Sequence, residues 1–437
     1  MWTYHPELLA TPVPRYTSFP TAAEFGPGVT AADYKGALAS ASGDVSLYLH
    51  IPYCEKICWY CGCNTGAANR PHRLTSYLEA LHREIALVAG LLPSDARVKR
   101  IAFGGGSPNA VPPHDFLRLM DAVAASFPLD DPLVSIELDP RSLTDEWGPV
   151  IAAIGARHAS MGVQTFAPHI QQAIGRIQPL SMIEHGVDLL RGAGVRSLNF
   201  DLMYGLPGQT RDDLSDALHR AATFGADRIA LFGYAHVPHL IPRQRRIDGS
   251  ALPEQEERFA MAEFGYRRLV AAGYRAVGFD HFALPADPLA RAAAGGTLRR
   301  NFQGFTDDQA PILIGLGASA IGSFPGLLAQ NEKNSGRYRM LLSQDILPVS
   351  HGVARSADDR RRGRLIECLL CHGRARVDAD LAREVTHHVQ PFIEAGLCHF
   401  EGPLLVIGAS GLPYARTIAA LFDPYRTHSP RRFSSAV

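Results

Sequence analysis

The sequence predicts an α/β fold with a parallel sheet. Three observations predict it. Six apolar, strand-like runs recur between Val45 and Tyr234. Helical patterning separates several of them, and each run ends in glycine or polar residues. The 46% hydrophobic content of 437 residues permits a large core.

The candidate strands are 45–51, 98–103, 133–138, 158–163, 197–203 and 228–234. Between the first two, Leu74, Tyr77, Leu78, Leu81, Ile85 and Val88 recur at helical spacing. Phe116, Leu119, Met120 and Val123 do so before the third, and Ile183, Val187 and Leu190 before the fifth. Six βα units argue a parallel sheet with outer helices. In such folds chemistry sits at the C-terminal ends of the strands.

The charge balance excludes some partners. Lys plus Arg number 43 and Asp plus Glu number 43, so no global field favours nucleic acid or a membrane surface. No apolar run reaches spanning length, and 1–14 lack the charged and apolar regions of a signal peptide. A cytoplasmic protein is expected, in a compartment that keeps thiols reduced.

Four of the seven cysteines fall in Tyr48-Leu-His-Ile-Pro-Tyr-Cys-Glu-Lys-Ile-Cys-Trp-Tyr-Cys-Gly-Cys-Asn64, directly after the first strand. Cys54, Cys58 and Cys61 have the spacing Cys-x3-Cys-x2-Cys. Three adjacent thiolates can hold three irons of a cubane and leave the fourth iron open to a small molecule, whereas such clusters normally take four cysteines. A structural zinc site needs a second ligand pair, and none is evident. A disulfide framework suits a small secreted domain rather than this chain.

This loop resembles that of the radical S-adenosylmethionine (SAM) superfamily. With Cys63 added, it is similar to the oxygen-independent coproporphyrinogen III oxidases. The resemblance implies an incomplete six-stranded (β/α)6 barrel over 45–285, with an arm at 1–44. Segments at 286–344 close the site, and a small, mainly helical domain follows at 345–437. It implies a 4Fe–4S cluster on Cys54, Cys58 and Cys61, and two molecules of SAM.

The same resemblance assigns roles to the strand ends. In Gly104-Gly105-Gly106-Ser107-Pro108, Gly105 matches a contact to the methionine end of SAM. Gly106 and Ser107 match a second SAM site; Ser107 stands where Thr is commoner, and Asn109 departs from the usual Thr. Glu137 matches a ribose-binding glutamate, and a carboxylate can accept both ribose hydroxyls. Gln164, Arg176, Asp201 and Ala235 match residues around the second SAM, and Ile321 a residue packing on the first. Tyr48 and Gln303 are expected near SAM and substrate. Cys63 is no required ligand; a proton or hydrogen donor and simple packing both stand.

The activity implied is oxidative decarboxylation of two propionates of coproporphyrinogen III, giving protoporphyrinogen IX. An electron donor, flavodoxin- or ferredoxin-like, and an electron acceptor are implied as partners, and a monomer is expected. The substrate's four carboxylates call for arginines. Arg15 in the Pro14–Thr21 segment and Arg243 to Arg246 are candidates.

Other features read as structural. His281 in Gly278–Ala283 reads from its surroundings as a hydrogen-bonded structural histidine. Cys368 and Cys371 share one helix face and read as core packing, as does Cys398. The run Arg360-Arg361-Arg362 reads as a solvated face. Two rival functions stand beside the enzyme. A haem-delivering relative would typically lack Cys63 and Asn301–Phe305. A non-enzymatic iron–sulfur module would not need Glu137, Gln164 and Asp201 on successive strand ends.

Overall fold

A computed structural model describes residues 2–68 and 71–426. Six parallel strands form in the predicted order. They are β1 Asp44–Ile51, β2 Arg97–Gly105, β3 Leu129–Leu138, β4 Ala156–Gln164, β5 Ser197–Tyr204 and β6 Arg228–Gly233. Neighbours in sequence are neighbours in the sheet.

The helices form where the spacing places them. In α1, Pro71–Ala89, the six predicted apolar residues are all buried. Such a stripe gives a helix most of its stability in a protein, because it buries one face against the sheet. The helices α2, Pro113–Ser126, and α3, Leu180–Gly192, repeat the pattern. Helix α4, Arg211–Thr223, starts at a reciprocal Thr210–Asp213 capping box.

The sheet continues on both sides of this core. Beyond β6, β7 His281–Ala283 pairs antiparallel. On the free edge of β1, β8 Ile312–Leu316 pairs in parallel, with Gly315 opposite Tyr48. Three antiparallel strands follow: β9 Ile321–Phe324, β10 Leu327–Asn331 and β11 Val349–Ala354. The result is one open sheet of twelve strands among the described residues. Residues 317–320 form the turn joining β8 to β9. The expected boundary before residue 345 precedes β11, which pairs with β10.

After β11 come α6, Ala357–His372, and α7, Ala379–Glu394, with a three-stranded antiparallel sheet over 374–407. (The label α5 belongs to Gln255–Ala271, which packs outside β5 and β6.) Residues 427–437 of the expected terminal domain, Asn69, Arg70 and Met1 lie outside the described residues.

One expectation about the surface is corrected. The arginine run does not form a solvated face. Arg362 is only 7% exposed; it pairs with Asp358 and Glu384 and donates to the Phe422 carbonyl. Arg361 reaches Asp358 and Asp380. Carboxylates four residues back and on the facing helix α7 draw the run inward. The arm is packed against the body of the protein. Val13, Tyr16, Phe19 and Val29 are buried. The Tyr16 hydroxyl donates to Asp423 at 2.9 Å, and the Arg300 guanidinium holds the Arg15 and Tyr16 carbonyls.

Cys371 and Cys398 are buried and Cys368 half-buried, all as free thiols. Among the described residues no helix is long and apolar enough to cross a membrane.

Candidate active site

Parallel strands covered by helices usually read as continuous apolar runs, because both faces are buried. Here one face alternates with polar residues. Val45, Leu47, Leu49 and Ile51 of β1 lie in the core. Ser46, Tyr48 and His50 point the other way, because side chains alternate across a strand. Ser135 and Glu137 of β3, Ser160 of β4, and Asn199 and Asp201 of β5 share that inner face. The sheet register sets Glu137 beside Ser160, Ser160 beside Asn199 and Asp201 beside Gly162. Ser46, Ser135, Glu137, Ser160, Asn199 and Asp201 bound an inner cavity of about 290 Å³.

The cysteine loop leaves β1 and is pinned at several points. Tyr53 and Cys54 pair with Gly66 and Ala67. The amide of Ser107 donates to the Tyr53 carbonyl at 2.8 Å. The Gln244 amide donates to the Tyr60 carbonyl at 2.9 Å. All four thiols line one cavity of about 190 Å³, shared with Gly105, Gly106, Glu137, Gln164, Arg176 and Asp201.

The thiols differ in character. A hydrogen bond from Cys63 lowers the Cys61 thiol to about 6 and raises Cys63 well above its ordinary value. Burial pushes Cys54 up to about 11. Cys58 Sγ accepts from two guanidinium groups, Arg141 and Arg176, each at 3.1 Å.

The glycine triplet has a geometric cause. A Cβ on Gly104 would stand 2.6 Å from the Glu137 carboxylate. Gly105 has φ +114°, and a Cβ there would stand 2.5 Å from the His50 ring. Bare backbone lets both side chains lie over the turn. The Gly105 amide then donates to Glu137 Oε2 at 3.1 Å. Burial raises the Glu137 carboxyl to about 7, helped by nearby Asp201.

A third cavity, of about 630 Å³, opens at the mouth. Tyr48, His50, Cys63, Gly105, Glu137, Arg243, Gln303 and Ile321 line it. The Tyr48 hydroxyl lies 3.1 Å from His50 Nδ1. Burial pushes His50 down to about 4, so its ring is neutral at physiological pH. Glu137 borders all three cavities, and Gln303 borders the mouth and inner ones.

Most of the expected site residues therefore converge, but Ser107 and Ala235 are placed otherwise. The Ser107 hydroxyl donates to Asn109 Oδ1 at 2.5 Å and is buried beneath the turn. Asn109, only 2% exposed, also exchanges hydrogen bonds with the Asp139 backbone. The unusual asparagine thus clamps two strand ends together. Arg176, buried, pairs with Asp139, Cys58 Sγ, Gln178 and the Gly162 carbonyl. Ala235 lies in a separate recess with Arg15, outside the three cavities.

His281 combines two features. Its Nδ1 lies 2.7 Å from Asp280 Oδ1, as a structural histidine would, and its ring borders the inner cavity. Arg246 stacks over Trp59 at 5.9 Å rather than facing the mouth.

Sequence reading missed Asp139, Arg141 and Gln244. Asp139 accepts from both Arg141 and Arg176, whose charges outweigh burial and hold its carboxyl low. A signal existed: an aspartate at a strand end before Pro140, capping a short turn. Gln244 was masked by its arginine neighbours.

Comparison with known proteins gives concordant results. Residues 48–221 match the Radical SAM superfamily. An oxygen-independent coproporphyrinogen III oxidase of Bradyrhizobium diazoefficiens is 39% identical, over 97% of each chain. The Pseudomonas aeruginosa protein of the same name is 35% identical, over 97% of this chain and 96% of that one. The solved coproporphyrinogen III oxidase HemN of Escherichia coli, a radical SAM enzyme, superposes with a TM-score of 0.91. It is 32% identical, and the match covers 97% of this chain and 99% of that one.

The superfamily implies a 4Fe–4S cluster and SAM, and the residues present fit both. Three thiols and a bare glycine turn share one cavity. Among the described residues no three His, Cys, Asp or Glu groups are placed to hold one metal ion. That is compatible with a cluster, where each iron takes its own thiolate. The chain belongs to the oxygen-independent coproporphyrinogen III oxidase family of radical SAM enzymes.

Proposed function

We propose that the protein oxidatively decarboxylates two propionates of coproporphyrinogen III to vinyl groups, giving protoporphyrinogen IX. The observation that carries this reading is the run of adjoining cavities from the cysteine loop to the mouth, with Glu137 in all three walls. Relatives of the same length, named for this reaction, support it.

Cys54, Cys58 and Cys61 would hold the cluster, with SAM bound beside it. When bound, the reduced cluster and SAM supply a 5′-deoxyadenosyl radical able to take hydrogen from a propionate, which then loses carbon dioxide and one electron. The protein's part is placement and exclusion of water. Gly105 offers its backbone to the methionine end of SAM. Glu137, with one amide donor and spare acceptor capacity, takes the ribose hydroxyls. Ile321 packs on the same SAM.

Gln164, Arg176, Asp201 and Gly106, which share the cysteine cavity, surround the position of a second SAM. Tyr48 and Gln303 meet the substrate at the mouth, and Arg243 meets one of its carboxylates. Cys63 lines the same cavity, placed to give a proton or hydrogen atom. A low-potential electron donor and a separate acceptor act as partners of a cytoplasmic monomer.

The test is an anaerobic assay of the reconstituted, reduced protein with SAM and coproporphyrinogen III, followed by chromatography. The expected products are protoporphyrinogen IX and two 5′-deoxyadenosines per molecule. Haem binding with no decarboxylation, beside an active control enzyme, would sink the reading in favour of haem delivery.

A further inference from the structure

Beside the end of β6 lies a recess that the proposed chemistry does not use. It encloses about 60 Å³, several times the roughly 10–15 Å³ one water needs. Three remote parts of the chain complete it: Arg15 comes from the arm, Arg258 from α5 and Arg416 from the C-terminal domain. Among the described residues Asp280 is the one carboxylate in its wall, and it is already engaged by His281 at 2.7 Å.

Among the described residues that line this confined space, positively charged side chains therefore outnumber negatively charged ones. Burial, with Arg15 beside it, pushes the Arg416 guanidinium down to about 10. Arg258 Nε is buried with no hydrogen-bond partner among the described residues, while its Nη2 donates to the Tyr234 carbonyl. Clustered guanidinium groups with an unmet donor are costly unless an anion joins them. The planar fork of arginine suits a carboxylate.

The arm does not need the Arg15 side chain as its anchor, because Arg300 already holds the Arg15 backbone. That guanidinium instead lies over Phe232, 5.2 Å from the ring centroid. Phe232 is the wall shared with the inner cavity. The Asp280–His281 pair spans the same partition, Asp280 facing the recess and His281 the inner cavity.

We propose that this recess binds the carboxylate of one propionate that does not react, and so orients the tetrapyrrole for attack on the two that do. This inference rests on the function proposed above. It also explains why the site is complete only when arm and C-terminal domain are both docked.

The test uses two stable porphyrins that carry the same non-reacting propionates, coproporphyrin III and protoporphyrin IX. Binding to the reconstituted protein is followed by fluorescence for wild type, Arg258→Gln, Arg416→Gln and the control Arg268→Gln. Melting temperature and cluster absorbance check the fold of each. The expected result is a loss of about tenfold to a hundredfold in affinity for both porphyrins in the two recess variants. The control should bind as wild type does.

Weakened binding of coproporphyrin alone would overturn the proposal, because the recess would then hold a reacting propionate. Unchanged affinity for both would overturn it while wild-type turnover leaves the enzyme reading intact. Acetate or phosphate that stabilises wild type but not the variants, with porphyrin affinity unchanged, would assign the recess to a free anion and overturn it too. If wild type neither binds nor converts the tetrapyrrole, the functional reading itself fails.

Discussion

Two glutamates in this protein share an environment and differ in use. Burial raises Glu84 and Glu137 alike, each to about 7. Glu84, on α1, is 0% exposed and ringed by donors. The Gly317 amide, Asn331 Nδ2 and the Tyr338 hydroxyl each reach it at 2.6 Å. Glu137 accepts one amide, from Gly105, and its remaining acceptor capacity faces three cavities. Burial alone therefore does not mark a ligand group. Unused hydrogen-bonding capacity directed at open space does.

Glu84 supports the site from behind. It fixes the turn after β8, whose Ala318 amide donates to the Tyr77 hydroxyl, which in turn donates to the His50 carbonyl at 2.6 Å. His50 ends the strand that carries Tyr48. A closed carboxylate thus sets the backbone on which the open site is built.

The comparison can be broken in several ways. The largest effect is expected outside the pair, at the cluster. Cys58→Ala should lose iron, by absorbance and iron analysis, together with all activity. Cys63→Ala should keep a cluster; its loss there would overturn the assignment of ligands.

Next, Glu84→Gln should cost about 2–4 kcal/mol in chemical denaturation, since a donor would replace an acceptor among three donors. SAM affinity per folded molecule should hold. Glu137→Gln should do the opposite, folding normally but binding SAM about tenfold more weakly in equilibrium dialysis. Were Glu137→Gln to unfold the protein and Glu84→Gln to spare it, the contrast would be reversed.

The smallest effect is a pH slope. The Glu84 carboxyl rises on folding from 4.5 to about 7. Between those values the folded state holds the extra proton, so its stability falls as pH rises. The slope is at most about 1.4 kcal/mol per pH unit for one proton. In denaturation from pH 5 to 7 the stability of wild type relative to Glu84→Gln should fall, because Glu137 and His50 contribute to both proteins alike. Parallel curves would show that Glu84 does not titrate there.

The six parallel strands and the cysteine loop were legible because their signals are local. Apolar runs, helical spacing and cysteine intervals lie within short windows. The pairing of β8 with β1 was not legible, since it joins residues more than 260 positions apart and depends on Gly315 lying opposite Tyr48. Glu84 looked like one more helical glutamate, because its three partners come from distant segments. Arg362 looked solvated for the same reason: Glu384 is on another helix. The strand-end glutamate Glu137 was visible, whereas the full role of Asp139, two residues on, was not, because Arg176 meets it only in the fold.

The most direct test uses coproporphyrinogen III deuterated at the β-carbons of its propionates. The reduced protein would turn it over with unlabelled SAM, and mass spectrometry would examine the 5′-deoxyadenosine. The account predicts one deuterium in each 5′-deoxyadenosine, with vinyl groups formed in step. Unlabelled 5′-deoxyadenosine alongside intact propionates would contradict it.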